Sequence, residues 1–329
     1  MTAALTLLGY ALLIAATVPR LLRAAAWVDR APRLAIIAWQ VTTVSILTSV
    51  VLAGVALTVP TVPVTGNLAE WLNACLMALR EQYASTGGVA SGAAGVALAL
   101  AVTGRIGWSL TIATRRMVRE RDSHRRTLDI VGQPDHRHGF VILESDESMV
   151  YCLPGRRHRT VITRAALGNL DDRQLRAVLA HERAHLRERH DLVLLFSAAI
   201  AAAFPFLRIF RTATTETTRL VELRADDIAS VKTDRLTLAE ALLLVTSGGA
   251  PRATPGVALG VGNDAAARVR RLIPPRNRIS RTQGAVGSAA VAAALVLPLV
   301  ILSGPAAVAA QHPICPADSI GAASATTTA

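Results

Sequence analysis

Two histidines and one glutamate stand in the order H-E-x-x-H within the segment RAVLAHERAHLRERHDLVLLF, at residues 176–196. On a helix, His181 and His185 are four residues apart and project from one face, so both imidazoles can bind the same metal ion. Glu182 can then act on water at that ion as a general base without being a ligand. Zinc would lower the pKa of this water toward about 7, and the glutamate would take its proton as it attacks a peptide carbonyl. The alternative is an arginine-rich amphipathic helix whose histidines are solvated.

A later segment, TETTRLVELRADDIAS, carries candidates for the third protein ligand that a catalytic zinc needs besides an open coordination position. Glu222 and Asp226 are four residues apart, on one face of a predicted helix. Glu222 is the candidate third ligand, and Asp226 is the carboxylate that orients a ligand from behind. A solvated acidic face is the alternative for these two residues. The sequence therefore predicts one zinc ion per chain, bound by His181, His185 and Glu222.

Three other residues near these motifs are weaker candidates. His190 follows His185 by five residues and is predicted to turn away from the metal face. Arg219 and Arg224 flank Glu222 and are candidates to stabilise an oxyanion.

The flanking sequence predicts the elements that hold these residues. Asp171 is the predicted N-cap of the motif helix, with Gln174 three residues later as in a capping box. Upstream, two short strands are predicted at residues 149–153 and 160–163, around a Pro-Gly turn. Their edge suits an extended peptide substrate that adds by backbone pairing. Alternatively, the hairpin only caps the core.

The composition is that of a membrane protein. Of 329 residues, 52% are hydrophobic and only 18% are charged, and the mean hydropathy is +0.40. Crossing the hydrocarbon core takes about 20 apolar residues. The first apolar run lacks the basic start and the cleavage site of a signal peptide, so we expect it to be retained. Four runs are predicted as transmembrane helices, at residues 2–18, 34–59, 88–113 and 285–309.

The distribution of arginine predicts the orientation of these spans. The net charge of +12 comes from arginine, with a single lysine in the chain. Arginines cluster at residues 20–33 and 115–126, and such clusters are typical of cytoplasmic segments. The segment 114–284 is therefore predicted to be a cytoplasmic domain, and 60–87 an external loop. The tail 310–329 is predicted to be extracytoplasmic and disordered. No nucleic-acid-binding motif accompanies the charge, and with 4% aromatics we expect no direct nucleic-acid binding.

A fifth apolar run, 192–206, is ambiguous by hydropathy. The ligands at positions 181 and 185 precede it and Glu222 follows it, so they can meet only on one side of the bilayer. This run therefore cannot cross as a single span. It dips into the membrane and returns, lies along the interface, or covers the domain as a buried helix.

Among the three cysteines, Cys75 and Cys315 are both predicted outside, where they can pair or stay as free thiols.

The segments VITRAALGNLDDRQLRAVLAHERAHLRERHD, VELRAD and AARVRRLI resemble the gluzincin core of two groups of membrane peptidases. These are the Ste24/HtpX-type metallopeptidases and the BlaR/MecR-type antirepressor peptidases, and the resemblance covers residues 148–273. It implies His181 and His185 as zinc ligands, Glu182 as the base and Glu222 as the third ligand. The implied fold is mainly α: four transmembrane helices and a cytoplasmic α+β HExxH peptidase domain.

The arrangement of the spans, three before the peptidase core and one after it, is more like that of the BlaR/MecR type. In that type the protease relieves repression by a transcriptional repressor. The sequence departs from the beta-lactam sensors of that type, because no penicillin-binding domain with its Ser-x-x-Lys nucleophile is predicted and the sole lysine, Lys232, is predicted inside. We therefore expect a multi-pass zinc endopeptidase of the plasma (inner) membrane that cuts a cytoplasmic, BlaI-like repressor. The alternatives are a Ste24/HtpX-like housekeeping protease of membrane proteins and a non-catalytic signalling scaffold. The oligomeric state is not predicted.

Overall fold

The computed structural model describes residues 2–58, 68–135, 139–155, 159–247, 261–274 and 279–310. Within them the chain is mainly helical, with a four-stranded sheet. The helices are α1 Thr2–Ala24, α2 Trp27–Arg30, α3 Pro32–Thr58, α4 Leu68–Tyr83, α5 Thr86–Val131, α6 Arg164–Asn169, α7 Asp172–Arg187, α8 His190–Ala203, α9 Arg208–Lys232, α10 Arg235–Ser247, α11 Val261–Leu272 and α12 Arg281–Ala310. The strands are β1 Gly132–Asp135, β2 Phe140–Leu143, β3 Val150–Leu153 and β4 Arg159–Thr163.

Four helices, α1, α3, α5 and α12, are long and apolar enough to cross a membrane. Each overlaps one of the four predicted runs, so the prediction of four apolar helices is confirmed for the described residues. The segment predicted as an external loop contains helix α4. Cys315 and the tail from residue 311 onward lie outside the described residues, so the two alternatives for Cys75 and Cys315, a disulfide or two free thiols, both stay open.

Helix α5 extends well past the predicted end of the third span at residue 113. It has 46 residues and includes the whole arginine cluster, which corresponds to about 69 Å of helix. Arginine favours helix, and the segment 114–131 has neither glycine nor proline until Gly132 follows. His124 therefore lies on a helix, and its Nε2 is 2.8 Å from the hydroxyl of Tyr151 on β3.

The chain forms two compact units in its described parts. One combines Met1–Ala11, Thr48–Leu100 and Val296–Ala329, and the other combines Leu12–Leu47 with Ala101–Leu295.

In the first unit, α3 and α5 come into backbone contact at Gly54 and Gly95. A Cβ at Gly54 would lie 2.7 Å from the Gly95 carbonyl oxygen, and one at Gly95 would collide with the Gly54 carbonyl oxygen. Only glycine permits this approach.

The sheet belongs to the second unit and has the strand order β1-β2-β4-β3. Strands β2 and β4 are parallel, whereas the β1–β2 and β3–β4 pairs are antiparallel. The predicted hairpin at 149–153 and 160–163 is confirmed as β3 and β4. Strands β1 and β2 were not predicted, because each has only four residues and β1 reads GQPD, which lacks strand-forming residues.

Helix α7 packs on one face of this sheet. Val178 and Leu179 of α7 share a buried cluster with Phe140, Val150 and Ile162 of three strands. Helix α5 contacts β3 and the turn after it, where the Arg125 guanidinium donates to the Pro154 carbonyl oxygen at 2.6 Å. Strand β3, at one edge of the described sheet, therefore contacts both α5 and α7.

The ambiguous apolar run corresponds to α8 and the turn that follows it. With 14 residues, α8 is about 21 Å long, too short for a hydrocarbon core of about 30 Å. The chain turns at Pro205, and α9 returns alongside α8, with the Thr214 hydroxyl donating to the Ser197 carbonyl oxygen at 3.0 Å. The Gln40 amide of α3 also donates to the Ser197 hydroxyl at 2.8 Å.

Arg105 is a charged residue within the third span, and it has a structural partner. Its guanidinium donates to the carbonyl oxygen of Ala203, the last residue of α8. The Ser109 hydroxyl donates one turn earlier, to the Ala199 carbonyl oxygen at 2.7 Å. The last carbonyl groups of a helix have no partner within it. Arg105 and Ser109 thus tie the end of α8 to α5.

The approach of Gly54 and Gly95 predicts a stability effect. We expect Gly95→Ala to lower the thermal stability of the purified chain, because the new methyl group meets rigid backbone and the Leu57 Cβ at 2.8 Å. The cost of such overpacking is about 1–3 kcal/mol. Gly104→Ala on the same helix is the control, since a Cβ there meets nothing within 4 Å. Equal melting temperatures for both variants would contradict the described packing.

Candidate metal centre and active site

The helix that carries the HExxH motif begins at a capping box, as predicted. The Asp171 carboxylate accepts from the backbone N–H of Gln174 at 2.8 Å, and the Gln174 side chain accepts from the Asp171 N–H at 3.0 Å. This arrangement satisfies backbone donors that the first turn leaves free. Because the start of α7 is fixed and its apolar face packs on the sheet, the rotation of the helix is fixed, and with it the direction of the motif side chains.

The structure brings the three predicted ligands together. The Nε2 atoms of His181 and His185 are 3.1 Å apart. The Glu222 carboxylate lies 3.4 Å from His181 Nε2 and 3.6 Å from His185 Nε2. A tetrahedral zinc ion with bonds of about 2.0–2.1 Å holds its ligand atoms about 3.3 Å apart. Two imidazole nitrogens and one carboxylate at this spacing fit a catalytic zinc ion, and none of the three side chains would have to move far to bind it.

Asp226 stands behind the first histidine, as predicted. Its carboxylate is completely buried and lies 3.0 Å from His181 Nδ1. A proton on Nδ1 then faces the carboxylate, and Nε2 keeps its lone pair for a metal. Asp226 is therefore placed to orient the His181 ring for a metal.

Arg268 is part of this site although the sequence did not single it out. The residue lies on α11, and its Nε and Nη2 bind both oxygens of Asp226 at 2.8 and 2.7 Å. Its Nη1 lies 3.0 Å from Glu222 Oε2. One guanidinium thus holds the two carboxylates of α9 in place. In the sequence Arg268 is one of several arginines in AARVRRLI, and nothing in that segment indicates which of them turns inward.

The environment shifts the pKa values of the motif residues in different directions. Burial raises the pKa of Glu182 to about 7, against the lowering effect of His181. Burial and the neighbouring His181 lower the pKa of His185 to about 3. For His181, burial is outweighed by the carboxylates of Asp226 and Glu222, and the pKa rises to about 9. A base with a pKa near neutrality is suited to proton transfer at physiological pH.

His190 turns away from the metal position, as predicted, but it contacts the second histidine. Its Nδ1 lies 3.1 Å from the Nδ1 of His185, on the side of that ring opposite Nε2. The two rings meet edge to face, with centroids 4.9 Å apart. No signal in the sequence indicated this contact, because α7 ends between the two residues and a helical projection no longer applies.

The two arginines suggested for an oxyanion are engaged by acids outside the ligand trio. Arg219 binds Asp29 of α2 at 2.7 Å and Glu216 at 3.1 Å. Arg224 binds Glu188 at 2.8 Å. Among the arginines that the structure describes, Arg268 is the one placed at the candidate ligands, beside Glu222 and His181.

The edge strand β3 lies beside the predicted base. The backbone N–H of Cys152 is close enough to the Glu182 carboxylate to lower its pKa, although burial has the larger and opposite effect. The Cys152 thiol points to Thr160, with 3.3 Å between Sγ and the hydroxyl. Burial raises the pKa of this thiol to about 11, so it stays protonated at neutral pH and is a poor nucleophile.

The contact between Asp226 and His181 predicts an effect on metal affinity. We expect Asp226→Asn to weaken zinc binding about tenfold to a hundredfold, because the amide no longer fixes the His181 tautomer. The measurement is competition with a chelator on the full-length protein. Asp227→Asn is a matched control: Asp227 is almost as buried but binds Arg271, at 2.9 Å. An equal loss in both variants would assign the effect to general destabilisation.

Comparison with known proteins agrees with this site. Residues 117–247 match the model of peptidase family M48. No curated protein and no solved structure matches the chain significantly. The matched segment contains the HExxH motif, Glu222 and Asp226, whereas Arg268 lies beyond its end. The match supports a metallopeptidase of family M48, a family of zinc peptidases, over this part of the chain.

Proposed function

We propose that the chain is a membrane zinc endopeptidase that cuts a cytoplasmic regulator. The observation that carries this proposal is the spacing of three donor atoms, two imidazole nitrogens and a carboxylate oxygen, at 3.1–3.6 Å. Glu182 follows the first ligand directly in the chain, where an HExxH base is required. In a solvated charged helix His181 would not be buried beside a half-buried His185, and the similarity to the M48 family supports the same activity.

The residues of the chain supply most of the machinery for hydrolysis. A zinc ion held by His181, His185 and Glu222 would supply Lewis acidity, which polarises a peptide carbonyl and acidifies water. Glu182 takes the proton of the attacking water on its carboxylate and delivers it to the departing amine. Its raised pKa makes both transfers feasible near neutral pH, because the carboxyl can be deprotonated before the attack and protonated after it.

The edge strand offers a place for the substrate. Cys152 presents a backbone N–H near Glu182, and β3 lies at the edge of the described sheet. An extended peptide that pairs with β3 would pass its backbone carbonyl groups beside the base. Such pairing depends on the main chain of the substrate, so it fits a protease that recognises an exposed, unfolded segment of a protein.

The arginine distribution supports a cytoplasmic active site and a plasma-membrane location. The arginines that follow the third span all lie on α5, which continues from the span to the sheet. Basic residues next to a span stay on the cytoplasmic side. Because the sheet and α7 follow directly, the peptidase domain is on that side too.

Regulatory proteolysis of a BlaI-like repressor is the specific role proposed. The BlaR/MecR-like order of three spans before the HExxH helix and one after the core supports it. A housekeeping role like that of the Ste24/HtpX type is the second candidate, and the helix α8 between α7 and α9 favours it, because some proteases of that type carry an apolar hairpin there.

Glu182→Gln tests the enzymatic function. The amide cannot accept the proton, so we expect cleavage of an unfolded protein substrate to be abolished while zinc content stays equal to the wild type. Metal analysis and a gel-based cleavage assay on the purified protein give the two readouts. Glu240→Gln, an exposed glutamate of α10, is the matched control with normal cleavage. Absence of zinc from the wild type, or unchanged cleavage in Glu182→Gln, would refute the proposal.

The same variant separates the two proposed roles. Cells that carry Glu182→Gln should accumulate the uncut substrate, because zinc and substrate still bind but the bond is not hydrolysed. Quantitative proteomics of membrane and cytoplasmic fractions should show one DNA-binding repressor if the role is regulatory. Accumulation of many uncut membrane proteins would establish the housekeeping role instead, and an unchanged proteome would favour a signalling scaffold.

A further inference from the structure

We propose that His190 is a positioning residue for the metal site: its Nδ1 accepts a hydrogen bond from His185 Nδ1–H and holds the His185 ring with Nε2 toward the metal. This inference rests on the proposed zinc site. It assigns a role to a third histidine that contributes no metal ligand. It also makes helix α8, whose sequence looks like a membrane span, part of the active-site framework.

The geometry leaves one arrangement of protons in this pair of rings. His185 Nε2 faces His181 and Glu222, at 3.1 and 3.6 Å. A metal ligand needs a free lone pair at that atom, so the single proton of a neutral His185 is on Nδ1. The Nδ1 atoms of His185 and His190 are 3.1 Å apart. His190 therefore accepts at Nδ1 and carries its own proton on Nε2.

His190 is well placed to hold a ring in a fixed position. The residue is 3% exposed and is the first residue of α8. The preceding Arg189 has a φ of 54°, a left-handed conformation that turns the chain sharply between α7 and α8. This turn brings residue 190 back over residue 185. A non-glycine residue in this conformation costs free energy, so the surrounding packing must stabilise the turn.

The rest of α8 is anchored away from the metal. Its middle residue Ser197 is hydrogen-bonded to Gln40 of α3 and to Thr214 of α9. Its C-terminal carbonyl groups accept from Arg105 and Ser109 of α5. A helix held at its middle and at its end cannot shift or rotate freely, so the imidazole at its beginning has a defined position.

The two ligand histidines thus have different supports. Asp226 supports His181 with a carboxylate, which adds negative charge to the site. His190 supports His185 with a neutral ring, which orients the ligand without adding charge. Partners that orient metal-bound histidines contribute about tenfold to a hundredfold in metal affinity.

Substitutions of His190 test whether its Nδ1 is the atom that acts. An asparagine side chain can place an amide oxygen near the position of Nδ1, whereas the longer glutamine reaches the position of Nε2. His190→Leu removes the acceptor, because it replaces the imidazole ring with an apolar side chain of similar size. We expect His190→Leu and His190→Gln to lower the zinc affinity about tenfold to a hundredfold, and His190→Asn to restore most of it.

The measurements are chelator competition for zinc and the visible spectrum of the cobalt(II)-substituted protein, with full-length chains in detergent. The spectrum should change in the leucine variant, because the His185 ring is no longer oriented, and return in the asparagine variant. Thermal unfolding of the metal-free variants monitors folding separately. Asp191→Asn is the matched control: it lies in the same helical turn and loses an ion pair with Arg121, 2.8 Å long, without contact to His185.

Several outcomes would overturn the proposal. Zinc affinity of His190→Leu equal to that of the wild type would show that the contact does not act on the metal site. Equal weakening in His190→Asn and His190→Leu would show that the acceptor atom is not responsible. Equal weakening in Asp191→Asn would assign the effect to the position of α8 as a whole. A wild-type chain without zinc would overturn both this inference and the proposed function, whereas the first three outcomes leave the proposed function intact.

Discussion

The close approach of α7 and α9 is the constraint on which the site depends. Three donor atoms from these two helices must lie within 4.8 Å of one another. Helices come this near only where the side chains between them are small. Small residues meet this requirement where the two helices share a buried cluster, with Ala177 on α7 and Ala229 on α9, both completely buried.

The same constraint determines what the intervening chain can do. Helices α7 and α9 are joined by α8, and their side-by-side packing requires the chain to return to where it started. A single membrane crossing would separate the ligands by the thickness of the bilayer. The 14 residues of α8 and the turn at Pro205 achieve the return. The last carbonyl groups of the short helix then lack partners within it, and Arg105 donates to one of them, that of Ala203. A charge in an otherwise apolar span is thus explained by the short connection that places α7 and α9 side by side.

The parts of this protein that could be predicted from the sequence are those encoded by local spacing. The HExxH positions, the capping box at Asp171 and the two strands around the Pro-Gly turn each depend on residues a few positions apart. Glu222 could be proposed because two histidines leave a zinc site without its third ligand, and Asp226 because it lies one helical turn further along the same face. Arg268 and His190 could not, since their partners are fixed by how α11 and α8 pack. Hydropathy predicts the end of an apolar run at residue 113 but not the end of α5 at Val131, because it marks where a helix leaves the apolar layer, not where the helix stops.

Charge balance explains why this particular set of residues is stable when buried. Burying carboxylates is costly unless cations compensate for them. Arg268 is one cation facing two carboxylates, Asp226 and Glu222, and Glu182 adds a third acid, whose pKa is raised mainly by burial. A divalent ion among the three ligands would supply two positive charges and bring the four side chains and the ion to neutrality. A cation at the candidate ligand trio would therefore lower the cost of burying these carboxylates, and its binding would stabilise the packing of α7 against α9.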